Sequence, residues 1–292
     1  MHIPVLLNEA MGFLDPGNRK KFIDATVNGG GHAEEILKHL PKDGILVGID
    51  RDKNILDNTA KNFKADRRFK PVYGNFRDIA KLTKKYAAAW DGILFDLGMS
   101  SLQLEESGRG FSFMKNETLD MRFDAGQSLS AAEIVNKWRE NDLTDIFSKY
   151  GEERYAKRIA RAICFIRRKI PIRTTADLVD IIRKSVPRTY WRNSSIHPAT
   201  RVFQALRITV NDELNSLEEG LNGAWAILKT RGRMAVITFH SLEDRIVKHS
   251  FKNFKNDSGS SIILTKKPMR PEDDEIFSNF RARSAKLRAI QK

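Results

Sequence analysis

Three carboxylates, Asp24, Asp50 and Asp96, each close a short run of strand-forming residues, and Asn75-Phe76 follows a third such run, Phe69 to Tyr73. Carboxylates at strand ends can accept hydrogen bonds from sugar hydroxyls or amines. Asn28-Gly29-Gly30-Gly31-His32 lies between the first two acids. Its glycines let the backbone turn tightly and approach a ligand closely. A ribose over that loop would give both hydroxyls to Asp50. The loop is not a dinucleotide fingerprint, because the third glycine of G-x-G-x-x-G would fall on Glu34. No phosphate-loop G-x-x-x-x-G-K-[ST] occurs either. A glycine loop with a ribose acid but no phosphate apparatus suits a nucleoside cofactor without phosphates, of which S-adenosylmethionine is the common one. A plain tight βα turn is the alternative for the glycines taken alone.

The elements that must position these groups alternate. Phe22-Ile23 leads into Asp24, and an amphipathic helix with Ala33, Ile36, Leu37 and Leu40 on one face follows the glycines. Strand Gly44 to Asp50, a helix from Asn54, strand Phe69 to Tyr73, a helix from Asp78 and the apolar strand Asp91 to Asp96 come next. Such alternation predicts a parallel sheet covered on both faces, with ligands at the carboxyl ends of its strands. After Asp96 the pattern changes. Ser128 to about Leu206 carries helical signals only, with Ser130 as a cap and Glu133 at the capping-box position. Apolar residues from Phe203 to Leu228 predict one long helix, or two parted near Gly220 and Gly223. Arg233 to Phe239 reads as a strand, His240 to Lys248 as a helix opening, and Ala285 to Ile290 as a closing edge strand. Ser241 would cap that last helix, with Asp244 at its third position.

Composition narrows the function classes. The 292 residues are 41% hydrophobic, enough for a core. No apolar run reaches the roughly eighteen residues of a transmembrane helix. The first residues lack the basic and cleavage features of a signal peptide. A single cysteine, Cys164, excludes a disulfide framework and a multi-cysteine zinc site, and no metal is expected. These features predict a cytoplasmic protein. The formal charge of +14 favours a polyanionic partner, nucleic acid above all, with simple solubility as the alternative. Between Asp142 and Arg192, 13 Lys/Arg stand against 6 Asp/Glu, a net of +7 and half the chain's excess. That stretch reads as a helical insertion offering a surface to phosphates.

Seven blocks then appear in order: Asp24-Ala25-Thr26 through His32, Asp96 to Ser101, Arg109 to Phe113, Leu119 to Arg122, Tyr150 to Arg154, His197 to Arg201, and Phe239 to Arg245. In these the chain resembles the bacterial small-subunit ribosomal RNA cytosine-N4 methyltransferases (RsmH, formerly MraW), over nearly its whole length. The resemblance implies a class I S-adenosylmethionine-dependent methyltransferase fold, α/β and Rossmann-like, with an inserted all-helical domain. The methyltransferase domain would take residues 1–105 and 207–292, and the insert residues 106–206. The implied reaction is methylation of a decoding-region cytidine of 16S rRNA, within the small ribosomal subunit or a late assembly intermediate. No membrane partner is implied, and a homodimer is compatible. By position Gly30, Gly31 and His32 would line the cofactor, Asp50 hold its ribose, Phe76 lie against the adenine, and Asp96 and Gln103 close the methionine side. Two departures are visible: Asn28 stands where glycine is common, and Lys229-Thr230-Arg231-Gly232 replaces a proline-glycine turn. Asn tolerates a left-handed backbone, so the loop should survive.

Methyl transfer to an exocyclic amine asks for positioning and desolvation. Asp96, or nearby carbonyls, would accept from the cytosine N4, with Ser100 and Ser101 shaping the base pocket. His240 either faces the target base or makes a structural hydrogen bond.

Overall fold

The computed structural model describes residues 4–100, 103–104, 107–193 and 196–292. The chain forms two compact units, the first made of Met1–Ser100 with Leu214–Lys292 and the second of Ser101–Glu213.

The first unit is built on seven strands: β1 (Lys21–Asp24), β2 (Ile45–Asp50), β3 (Phe69–Tyr73), β4 (Trp90–Asp96), β5 (Leu228–Thr238), β6 (Ile262–Ile263) and β7 (Lys286–Gln291). Their order across the sheet is β3-β2-β1-β4-β5-β7-β6. The first five run parallel, and β7 is antiparallel to both its neighbours. This is the doubly wound, mostly parallel sheet expected. The strands are apolar on both faces because helices cover both. Phe22, Leu46, Leu94, Ala235 and Leu287 pack with Leu6, Leu14, Ala33 and Ile36 on one face. Their strand neighbours Ile23, Val47, Ile93, Val236 and Ile290 pack with Ile79, Leu217, Leu221, Val247 and Phe251 on the other. The alternation of the two sets along each strand is the period of two that a pleated backbone imposes.

Several local expectations need correction. The long helical stretch breaks at Asp212, whose φ of 48° ends helix Ala199–Asn211 before helix Glu213–Ile227 begins. Gly220 and Gly223 do not break it. A Cβ there would stand 2.7 Å from the Phe76 ring and 3.0 Å from Ile79, so these glycines permit close packing. The strand expected at the sheet edge, β7, is interior, because the short β6 adds outside it. Lys229 to Gly232 is not a separate turn. It enters β5 as an irregularity, with Arg231 at φ 63° and the register against β4 shifting between Trp90 and Gly92. The first helix covers Leu7–Leu14, and residues 1–3 lie outside the described set.

Among the described residues the second unit has helices Ala131–Lys137, Glu140–Lys149, Ala156–Ile166, Thr175–Ser185, Arg188–Asn193 and Ala199–Asn211. Phe147, Ile159, Ile163, Leu178, Ile182, Val202 and Leu206 are buried in it. Ser130 caps its first helix by accepting from the Glu133 N–H at 3.2 Å. The sequence blocks here lock to one another. Met121 N–H donates to the Arg109 carbonyl at 2.7 Å, and Arg109 donates to the carbonyls of Arg122 and Phe123. Arg122 grips Asp120 through two bonds of 2.8 and 2.7 Å. Arg201 donates to the Glu152 carbonyl at 2.8 Å, and buried Glu153 accepts from the Tyr190 hydroxyl at 2.9 Å.

Lys286 and Arg288 are engaged inside the first unit. Arg288 Nε donates to Asp244 at 2.7 Å and Lys286 at 3.3 Å. Burial would raise the Asp244 carboxyl, yet these two cations hold it below the usual carboxylate range. Asp244→Ala would leave Arg288, 10% exposed, without its counter-charge. The expected loss is about 3 kcal/mol in denaturant unfolding. The depressed carboxyl contributes stability above its unfolded pKa, so the difference between the two proteins shrinks as pH falls through the folded value.

Candidate active site

The strand order reverses between β1 and β4, so the crevice at their carboxyl ends is where an open α/β sheet binds its ligand. Asp24 ends β1 and Asp96 ends β4. The segment after β1 stitches three strand ends together. Thr26 Oγ1 accepts from the Asp96 N–H at 2.6 Å, and Asn28 Nδ2 donates to the Asp96 carbonyl at 3.2 Å. On the other side Asn28 N–H donates to Asp50 Oδ2 at 3.0 Å, while Asp52 N–H donates to Oδ1 at 2.8 Å. Asn28 has φ 48°, the left-handed conformation that Asn tolerates. Thr59 holds its carbonyl with a 2.8 Å bond. Gly30, at φ 87°, abuts Phe63 and Thr59 so closely that a Cβ would meet them at 2.9 Å. Helix Gly31–His39 starts directly beyond it.

His32 lies in the first turn of that helix and is buried. Its Nε2 is 3.1 Å from the Val5 carbonyl, and its Nδ1 is 3.4 Å from Asp96 Oδ2. A carbonyl only accepts, so Nε2 carries the hydrogen of the bond to Val5. Burial opposes a charge on the ring, but Asp96 and then Asp24 raise the ring above its ordinary value. Asp24 itself is pushed up to about 7, mainly by burial and further by Asp96 and Asp50, against the pull of His32 and the Thr26 N–H. Burial likewise raises Asp50 to about 6, opposed by the Asp52 and Asn28 amides. Asp96 is 6% exposed, and its Oδ1 is a buried oxygen with no hydrogen-bond partner among the described residues.

The arrangement therefore offers a carboxylate, Asp50, oriented by two backbone amides, and an unmatched acceptor, Asp96 Oδ1, at the switch point. An acceptor of this kind suits an N–H or O–H donor. Phe76 starts a short 3₁₀ turn after β3 and meets Phe95 edge-on, with ring centroids 5.5 Å apart.

The whole chain, residues 1–292, matches the model of the MraW methylase family. The chain belongs to this methylase family. A "Ribosomal RNA small subunit methyltransferase H" from Carboxydothermus hydrogenoformans is 47% identical, the alignment covering 100% of this chain and 97% of that protein. One of the same name from Syntrophotalea carbinolica is 45% identical over 100% and 98%. The crystal structure of an rRNA methylase from Streptococcus thermophilus aligns over 100% of this chain and 99% of that one, at TM-score 0.46 and 9% identity. The strand order with a reversed β7, together with the family, makes the fold that of a class I S-adenosylmethionine-dependent methyltransferase.

Within this methylase, Gly30, Gly31, His32, Asp50 and Asp96 all come to the β1–β4 end of the sheet, and Phe76 follows the neighbouring β3. Ser100 is buried near the end of the first unit's first segment, Ser101 lies outside the described residues, and Gln103 is a buried residue of the second unit. His240, not Ser241, caps helix Ser241–Ser258. Its Nδ1 accepts from the Glu243 N–H at 3.4 Å, and the Glu243 carboxylate returns a bond to the His240 N–H at 3.3 Å. The first helical residue is Ser241 because the reciprocal partner lies three places after His240, which Glu243 fills and Asp244 does not. Sequence reasoning missed the Thr26–Asp96 bond and the His32–Asp96 pair. Only the place of Thr26 one turn before the glycines could have signalled the first.

Asp24 supplies a test of this burial. Its folded value lies above its unfolded one, so folding takes up a proton between about pH 4 and 7, and stability falls as pH rises through that window. Asp24→Asn removes the titration. Its stability relative to the parent protein should improve, on the order of 3 kcal/mol, from pH 4 to pH 7.5 in urea melts.

Proposed function

We propose that this protein transfers a methyl group to N4 of cytidine 1402 in 16S rRNA. The observation that carries the reading is the buried, unpartnered Oδ1 of Asp96 at the switch point of a methylase-family fold. Relatives named small-subunit ribosomal RNA methyltransferase H support the substrate. No helix among the described residues is long and apolar enough to cross a membrane. The protein works in the cytoplasm on the small subunit or a late assembly intermediate.

The methyl donor is S-adenosylmethionine, which supplies an electrophilic methyl on a sulfonium. Asp50 accepts the ribose hydroxyls. Its two bonded amides leave further lone pairs on both oxygens, so the carboxylate can accept without losing its orientation. Gly30, Gly31 and His32 let the backbone come close, Phe76 bounds the adenine, and Asp96 stands on the methionine side. Cytosine N4 is a weak nucleophile because its lone pair is delocalised into the ring. Asp96 Oδ1 accepts from the N4 amine, fixes its orientation and favours charge building on nitrogen. His32 engages the other oxygen, Oδ2, and so keeps Oδ1 for the amine. Ser100 shapes the base pocket, and His240 stands after β5 as a further polar group toward the base.

The decisive assay is transfer from labelled S-adenosylmethionine to small subunits of a strain lacking this gene, with the product nucleoside identified by mass spectrometry. N4-methylcytidine at a single decoding-region position is the expected product. Methylated DNA, or another nucleoside, would refute the assignment. Asp96→Ala should lower turnover by about 100-fold or more while changing cofactor affinity far less. Equal losses would assign Asp96 to the cofactor alone. Because Asp50 must be ionised to accept both hydroxyls, S-adenosylmethionine affinity should rise as pH increases through about 6, and Asp50→Asn should flatten that profile in calorimetry.

A further inference from the structure

Helix Ala156–Ile166 of the second unit turns its apolar side inward, burying Ile159, Ala160 and Ile163. Lys157, Arg158, Arg161, Phe165 and Arg168 are all exposed. At 3.6 residues per turn Lys157, Arg158, Arg161 and Phe165 fall within a sector about 100° wide over about 12 Å, and Arg168 follows just past the helix end. Arg161 stands 3.5 Å from Glu140, itself partly exposed. Lys157, Arg158 and Arg168 make no ion pair among the described residues. Phe165 is 61% exposed in the last turn of the helix, with Lys169 Nζ 5.4 Å from its ring centre. A core-facing role is ruled out for these residues by their exposure. A membrane role would need the apolar side of the helix, which the unit's own core already uses.

We infer that this row is an RNA-docking surface: the four cations track a phosphate backbone and Phe165 stacks on an unpaired base beside it. The inference rests on the substrate reading above and names a surface of the insert for it. Four like charges in one row repel one another in the free protein, and a polyanion relieves that repulsion. Arginine suits phosphate because its planar fork makes paired bonds, and three of the four are arginines. An exposed aromatic ring among cations is how sequence-tolerant single-strand sites are built.

The test uses the full chain and a 16S rRNA fragment carrying the decoding region, with affinity measured across a salt series. Replacing Lys157, Arg158, Arg161 and Arg168 together with Gln should weaken binding at least tenfold near 0.15 M salt. The slope of log affinity against log salt should flatten by roughly 3, the expectation for four lost phosphate contacts on a single strand. Phe165→Ala should weaken binding about fivefold or more with the slope unchanged. The calorimetric affinity for S-adenosylmethionine should stay the same in both variants, which also certifies folding. Lys248→Gln, Lys252→Gln and Lys255→Gln together, all exposed on helix Ser241–Ser258, serve as a three-charge control elsewhere on the surface and should alter the slope little. Equal salt slopes for the parent and the quadruple variant would overturn the proposal, as would binding of the row to anionic phospholipid vesicles in preference to RNA. If the parent binds the RNA but methylates a different nucleoside, the catalytic assignment fails and the docking surface stands.

Discussion

Burying Asp24, Asp50 and Asp96 at the ends of neighbouring parallel strands is the constraint on which the first unit depends. An ionised carboxylate loses much of its hydration there, and each acid answers the loss differently. Asp50 receives two backbone amides. Asp96 receives the His32 ring on one oxygen. Asp24 has the Thr26 amide and otherwise moves its proton equilibrium to about 7. The crevice gathers three acids around one histidine, so acidic groups outnumber basic ones there. That surplus favours a cationic ligand, and a sulfonium with an α-ammonium group is one.

The same crevice explains why so short a segment as Thr26 to His32 matters. Thr26 binds the end of β4, Asn28 binds the ends of both β4 and β2, and His32 returns to β4. The loop is therefore a clasp on three strand ends as well as a lining for a ligand. Its left-handed Asn28 and Gly30 are needed because the chain must reverse within three residues while aiming the Asn28 amide at Asp50.

Much of this was legible in the sequence. The parallel strands could be read because both faces are covered and the runs are short and apolar. The strand-end acids could be read because ligands collect at carboxyl ends. What was not legible depended on long-range partners. Arg288 and Lys286 look like surface cations until Asp244, more than forty residues away, is seen beside them. Gly220 and Gly223 look like helix breakers until the neighbouring Phe76 and Ile79 show why no side chain fits. His240 carries chemistry as a residue type, yet its nearest bonds close a helix end. The block Tyr150 to Arg154 reads as a family signature, and in the structure Glu153 and the Glu152 carbonyl serve as internal ties of the insert.

The first unit is discontinuous, and this orders the events of its synthesis. The ribosome finishes β1 to β4 well before it makes β5, and the whole of Ser101–Glu213 emerges in between. During that interval β4 is an apolar edge strand with one side unpaired, the kind of edge that seeks another chain. The insert is a contiguous helical unit with local contacts, so it can fold while β4 waits. A nascent chain stalled inside the insert would thus carry a finished helical unit beside half a sheet, and chaperone demand should peak there.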